Sequence, residues 1–112
     1  MVGIDIVKNA RFKSFLDDER KISRILSSEE IKIYSKIKLE KRKLEYLGSR
    51  FAVKEALFKA TNVSFNFNDV SVLNSETGKP YIVCNFINDL SIEVSISHEE
   101  EYSVAVVLIK EK

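Results

Sequence analysis

The run Ser49-Arg50-Phe51-Ala52-Val53-Lys54-Glu55-Ala56-Leu57-Phe58-Lys59-Ala60 constrains this chain more than any other stretch. Its residues are good helix formers with no internal breaker. At about 100° per residue, Leu44, Gly48, Phe51, Ala52, Glu55 and Lys59 share one face, while Val53, Ala56, Leu57 and Ala60 share another. A helix that is apolar on both sides belongs in the middle of a fold or at a subunit contact. A carboxylate centred on such a face is costly to desolvate unless it is paired or metal-bound. Glu55 therefore needs a partner.

With 112 residues, the chain has room for one domain, residues 1–112, and for a core that needs no disulfide staples. The 45% hydrophobic and 31% charged residues fit a soluble globular protein, and a net charge of +1 gives no global pull toward nucleic acid. Local charge is less even. Lys32, Lys36, Lys38, Lys41, Arg42 and Lys43 crowd one segment and Glu99-Glu100-Glu101 another, so local patches can bind ions of either sign. Cys84 is the only cysteine, which excludes an intramolecular disulfide and reads as a small core residue. The N-terminus lacks a basic segment followed by an apolar one, and no segment reaches the roughly 20 apolar residues of a membrane span. A cytoplasmic protein without nucleic-acid or membrane partners is expected.

Val2 to Val7 reads as a short strand in which Gly3 and Asp5 lie on the opposite face from Ile4 and Ile6. On pattern alone, Asp5 is either the solvated member of this alternation or a functional carboxylate. From about Ala10 a helix is expected, with Phe12, Phe15 and Leu16 inward and Arg11, Lys13, Arg20, Lys21 and Arg24 outward. Ser27-Ser28-Glu29-Glu30-Ile31 predicts an N-cap and acidic first turn for a second helix. The long helix is expected from near Glu40 to Thr61. Strands follow at roughly 70–74, 81–85, 92–97 and 103–109, the first two joined by a hairpin through Gly78 and Pro80. Helices first and strands second predict an α+β fold with a mainly antiparallel sheet.

Glu55 and Lys59, four residues apart, can be an ordinary surface pair. Their apolar neighbours Phe51 and Ala52 point instead to a carboxylate and an ammonium facing a bound divalent cation and a polyanion. Mg²⁺ suits such a place, because it uses one or two protein carboxylates and takes its remaining ligands from phosphate and water. Asp5 is the obvious second carboxylate if the first strand lies beside this helix. His98, the only histidine, stands where a strand should end, as a structural turn residue or as a donor to phosphate. No nucleophilic triad and no phosphate-cradling glycine loop are present.

Three ordered motifs carry a resemblance. Gly3-Ile4-Asp5-Ile6-Val7, Arg50-Phe51-Ala52-Val53-Lys54-Glu55-Ala56 with Lys59, and Val94-Ser95-Ile96-Ser97-His98 followed by Tyr102-Ser103-Val104-Ala105 resemble the holo-acyl-carrier-protein synthase family. This is the small-subunit group of the 4′-phosphopantetheinyl transferases, and Gly78-Lys79-Pro80-Tyr81 is similar to its hairpin. The resemblance implies transfer of 4′-phosphopantetheine from coenzyme A to a serine of apo acyl carrier protein in fatty-acid synthesis, with release of adenosine 3′,5′-bisphosphate. It implies Mg²⁺ held by Asp5 and Glu55, with Lys59 by the bridging oxygen or the leaving phosphate. Glu55, Asp5 and a metal-bound water all remain candidates for the base.

The same resemblance implies that Arg50, Lys54, Ser97 and His98 surround coenzyme A, with Lys41, Arg42 and Lys43 as further nucleotide contacts. Arg11, Arg20 and Arg24 would receive the acidic carrier protein. The family's homotrimer, with sites between subunits, would account for a long helix with two apolar faces. One departure stands out: Thr61-Asn62-Val63-Ser64 replaces the glycine-containing turn that the family has after this helix. From a different class, a non-catalytic module could bind acidic proteins or nucleotides through the same basic groups, and a purely structural trimer could use Glu55 and Lys59 only to fix register.

Overall fold

The computed structural model describes all of residues 1–112. Strand β1 (Val2–Lys8) leads into a 3-10 helix at Asn9–Phe15, then α1 (Glu19–Ile25), α2 (Ser28–Tyr34) and α3 (Glu40–Thr61). After a loop and a short 3-10 turn come β2 (Ser71–Asn74), β3 (Pro80–Val83), β4 (Leu90–His98) and β5 (Tyr102–Glu111). All strand pairs are antiparallel. One sheet has the order β1-β5-β4 and the other pairs β2 with β3, giving the expected α+β arrangement.

Helix α3 is the centre of the molecule. Leu47, Ala52, Val53, Ala56 and Leu57 are fully buried on different sides of it, within one cluster of buried apolar residues. Its two apolar faces are thus covered inside a single chain, so of the two expected placements, the middle of a fold or a subunit contact, α3 takes the first. No helix of the molecule is long and apolar enough to cross a membrane.

Gly3 lets β1 lie directly on α3. A Cβ at this position would stand 1.9 Å from the Ala56 carbonyl oxygen and 2.8 Å from the Ala60 nitrogen. The register then sends Gly3, Asp5 and Val7 toward the helix and leaves Val2, Ile4 and Ile6 62%, 59% and 62% exposed. The solvated reading of Asp5 is therefore overturned: the polar residue faces the helix and the isoleucines face out. On β5, Val104, Val106 and Leu108 continue this outer face opposite Ile6, Ile4 and Val2. Along β1 and β5 both faces are largely apolar, so polarity alone could not say which face of β1 was inner, whereas β4 turns Ser91, Glu93, Ser95 and Ser97 outward.

The helix expected from Ala10 is broken in two. Asp18 ends the 3-10 segment and caps α1 by accepting from the backbone N–H groups of Arg20 and Lys21 at 3.1 and 3.2 Å, an arrangement that competes with continuing one helix through 16–19. Helix α2 starts at the predicted cap, where Ser27 and Glu30 form a reciprocal capping box. Helix α3 has the expected bounds, and Asn62 closes it in the left-handed conformation (φ 56°), the role that glycine commonly plays. Gly78, with φ 88°, turns the β2–β3 hairpin. Cys84 is half-buried against the core, and burial pushes its thiol pKa up.

Candidate active site

Two neighbourhoods of α3 bring charged side chains together. In the first, β1 brings Asp5 beside the last turns of the helix. Lys59 Nζ donates to Asp5 Oδ1 at 3.0 Å and to the Ile4 carbonyl at 3.0 Å. The lysine side chain is 51% exposed and the aspartate 16%, so the pair opens to solvent from the ammonium side. Glu55, one helical turn before Lys59 and half-buried, makes no ion pair or side-chain hydrogen bond within the chain. Arg11 reaches the same face, its guanidinium 4.9 Å from the ring centre of Phe51, one turn before Glu55.

The carboxylates fit a small hard cation. No group of three or more histidine, cysteine, aspartate or glutamate side chains could cage a metal. Two carboxylates with an open side suit Mg²⁺ that borrows phosphate oxygens and water. Lys59 already demonstrates that a cation is welcome beside Asp5.

The second neighbourhood is a pocket of about 140 Å³ between the first half of α3, the end of β2 and the end of β4. Arg42, Arg50 and His98 line it, together with Glu45 and Asn74. Arg50 is held in place: its Nε and Nη2 donate to the Val72 carbonyl at 3.3 and 3.2 Å, its Nη1 donates to Ser49 Oγ at 3.0 Å, and it stacks 4.2 Å over Tyr46. Of a guanidinium's five N–H groups, these contacts use three, leaving two as donors. Burial pushes the Tyr46 phenol up to about 12, against the opposing pull of Arg50. His98 Nδ1 lies 3.6 Å from Glu45 Oε2. A fixed guanidinium with spare donors, beside Arg42 and His98 at a small cavity, suits an anion.

Other expected coenzyme A contacts lie outside this pocket. Lys54 is completely buried, its Nζ donating to Glu30 Oε1 at 2.5 Å and to the Ile25 carbonyl at 2.7 Å, so it ties α3 to α1 and α2 and has no path to a ligand. Desolvation pulls its pKa below the ordinary lysine range, and Glu30 pulls it back. Ser97 pairs with Val104 on the outer sheet face, opposite to His98, because neighbouring strand residues point to opposite sides. Lys41 is exposed on the first turn of α3 and does not line the pocket. Arg20 and Arg24 are exposed along α1, Arg20 at a groove with Ile22, Ile31 and Tyr34, and Arg24 beside the loop carrying Phe65 and Phe67.

The two neighbourhoods do not touch. Asp5 and His98 stand on the two outer strands with β5 between them. Arg50 and Lys59, nine residues apart, are half a turn out of phase and about 13 Å apart along the axis. Reading the sequence missed Glu45, Tyr46, Ser49 and Asn74, which complete the pocket. For Tyr46 and Ser49 a signal existed, since each lies within one helical turn of Arg50.

A family model described as the 4′-phosphopantetheinyl transferase superfamily matches residues 1–107. The holo-[acyl-carrier-protein] synthase of Acholeplasma laidlawii is 42% identical over 114 residues, covering 99% of this chain and 96% of the relative. That of Bacillus subtilis is 36% identical over 114 residues, covering 97% and 93%. Among solved structures, a holo-(acyl-carrier-protein) synthase from Bacillus anthracis in complex with CoA (3′,5′-ADP) superposes with a TM-score of 0.89 at 32% identity, covering 99% of this chain and 96% of that one. The Helicobacter pylori enzyme in complex with coenzyme A gives 0.82 at 29% identity, covering 98% and 100%. The resemblance carried by the three motifs thus extends over the whole length and the whole fold, and the chain belongs to the 4′-phosphopantetheinyl transferase superfamily.

Proposed function

We propose that this chain is a holo-acyl-carrier-protein synthase, a cytoplasmic enzyme that transfers 4′-phosphopantetheine from coenzyme A to a serine of apo acyl carrier protein for fatty-acid synthesis. The observation that carries the reading is Lys59 on Asp5 at 3.0 Å, with Glu55 unpaired one turn away and open to the same side. The serine oxygen forms a bond to the pantetheine-bearing phosphorus of the pyrophosphate. The bond from that phosphorus to the bridging oxygen breaks, and adenosine 3′,5′-bisphosphate leaves.

Asp5 and Glu55 would hold Mg²⁺. When bound, that ion supplies charge neutralisation at the pyrophosphate. Lys59 supplies a mobile positive charge for the leaving phosphate, moving off Asp5 to do so. Asp5 and Glu55 are also the protein groups able to take the serine proton. Arg42, Arg50 and His98 grip the nucleotide phosphates, and the fixed geometry of Arg50 spares the enzyme reorganisation there. Arg11, beside Phe51 and therefore beside Glu55, meets the acidic carrier protein, with Arg20 and Arg24 extending the basic surface and setting encounter rate.

The working form is a homotrimer. The outer sheet face carrying Val2, Ile4, Ile6, Val104, Val106 and Leu108 is the contiguous apolar surface that burial between copies would relieve. A second copy also offers coenzyme A a way to meet an anion pocket and an acidic centre that one chain keeps apart. The test is incubation with coenzyme A, Mg²⁺ and apo carrier protein, followed by mass spectrometry of the carrier. The reading predicts a carrier heavier by one phosphopantetheine arm, and an unmodified carrier with folded enzyme would refute it.

A further inference from the structure

Asn9 is a polar residue 1% exposed in the interior, and neither the acidic centre nor the anion pocket uses it. Its side chain is fully engaged. Nδ2 donates to the carbonyls of Glu99 and Glu100 at 3.0 and 3.2 Å, and Oδ1 accepts from Ser103 Oγ at 2.8 Å. Its backbone N–H donates to the Glu101 carbonyl at 2.8 Å. One residue thus gathers the whole 99–101 turn and the first residues of β5. Helix α3 makes room for it: a Cβ on Gly48 would stand 2.2 Å from Asn9 Oδ1 and 3.2 Å from Ser103 Oγ.

The turn that Asn9 holds begins at His98. The histidine is paired with Ser103 in the sheet, and Glu99 N–H donates to the Tyr102 carbonyl at 2.9 Å. Glu45, which His98 faces, lies one turn before Gly48 on the same helix. An acidic triplet is a poor guarantor of its own geometry, because Glu99, Glu100 and Glu101 repel one another at the rim. Without the Asn9 side chain the Glu99 and Glu100 carbonyls and the Ser103 hydroxyl would lose their partner, leaving the turn held by the backbone bond to Glu101 alone and the end of β4 without its reference to α3. We infer that Asn9 is a positioning residue for coenzyme A binding, acting through His98 by clamping the 99–101 turn to the strand end after Asp5 and to the groove at Gly48. This inference rests on the reading of the Arg42–Arg50–His98 cavity as a phosphate pocket.

The test is a double-mutant cycle read by calorimetric titration of coenzyme A in Mg²⁺, using the enzyme, Asn9→Leu, His98→Ala and the double variant, with urea unfolding in parallel. Asn9→Leu is expected to raise Kd about tenfold, the loss that follows when a buried hydrogen-bonding hub is removed. In the His98→Ala background the same change should raise Kd less than about twofold, since the group that it positions is already gone. Full multiplication of the two effects, or an unchanged Kd in Asn9→Leu, would overturn the inference even if stability falls. If His98→Ala alone binds coenzyme A as tightly as the enzyme, the pocket reading fails and the inference with it. Should Asn9→Leu not fold, Ser103→Ala removes the hydroxyl donor to Oδ1 and enters the same cycle, with the same coupled or multiplied outcomes.

Discussion

Lys54 and Lys59 lie five residues apart on α3, and each meets a carboxylate from an earlier element, Glu30 of α2 or Asp5 of β1. The first pair is wholly buried and closed. Both Glu30 oxygens are used, Oε1 by Lys54 and the Ser27 N–H and Oε2 by the Val72 N–H at 2.8 Å, and Lys54 also donates to the Ile25 carbonyl, so the pair joins α1, α2, α3 and β2 at once. The second pair is half-open and has an unpaired neighbour in Glu55. A charged group with every bond satisfied inside the protein serves the fold; one with spare capacity toward solvent is free to serve a ligand.

The comparison breaks most readily at Glu30. Replacing it with Ala leaves Lys54 buried without its counter-ion and is expected to cost about 3–5 kcal/mol in urea unfolding. Loss of activity without loss of stability would contradict the division. At the open pair the pattern reverses: Asp5→Asn and Glu55→Gln should each lower turnover at saturating Mg²⁺ by about a hundredfold or more, the scale of lost electrostatic stabilisation, while the unfolding midpoint barely moves. Near-normal rates in either variant would remove it from the proposed metal site.

A smaller effect sharpens the two lysines themselves. Lys59→Met should stay within about 1 kcal/mol of the parent in stability, as expected for a solvent-open pair, yet turn over more slowly. An effect confined to alkaline pH concerns Tyr46. Its pKa in the folded protein, about 12, lies above the ordinary value of 10.0, so the folded state keeps a proton that the unfolded chain releases. Its contribution to stability is therefore complete below pH 10 and declines as pH rises from 10 toward 12, by no more than about 1.4 kcal/mol per unit. Urea midpoints at pH 9 and 11 should converge in Tyr46→Phe relative to the parent.

Much of the fold was legible because its signals are local. The bounds of α3, the cap at Ser27, the hairpin at Gly78 and the approximate positions of the strands all follow from periodicity and turn chemistry. The position of Asp5 beside Lys59 could be suspected from two unusual charges, but its face could not be read, because β1 itself carries its isoleucines on the outer side. Parity also decided against Ser97, which neighbours His98 in sequence and turns its back on it in the sheet. Lys54 was the hardest residue. It sits in the same motif as Glu55 and Lys59, and its partner is 24 residues upstream in a capping box whose Glu30 already had an evident local task. Long-range pairing of this kind emerges only when tertiary structure brings the elements together.

The most direct measurement is a crystal structure of the enzyme with coenzyme A and Mg²⁺. The account predicts one cation bound by Asp5 and Glu55 and by pyrophosphate oxygens, Lys59 shifted from Asp5 toward phosphate, and Lys54 still on Glu30. A cation bound without Glu55, or a pyrophosphate lying away from Lys59, would contradict it.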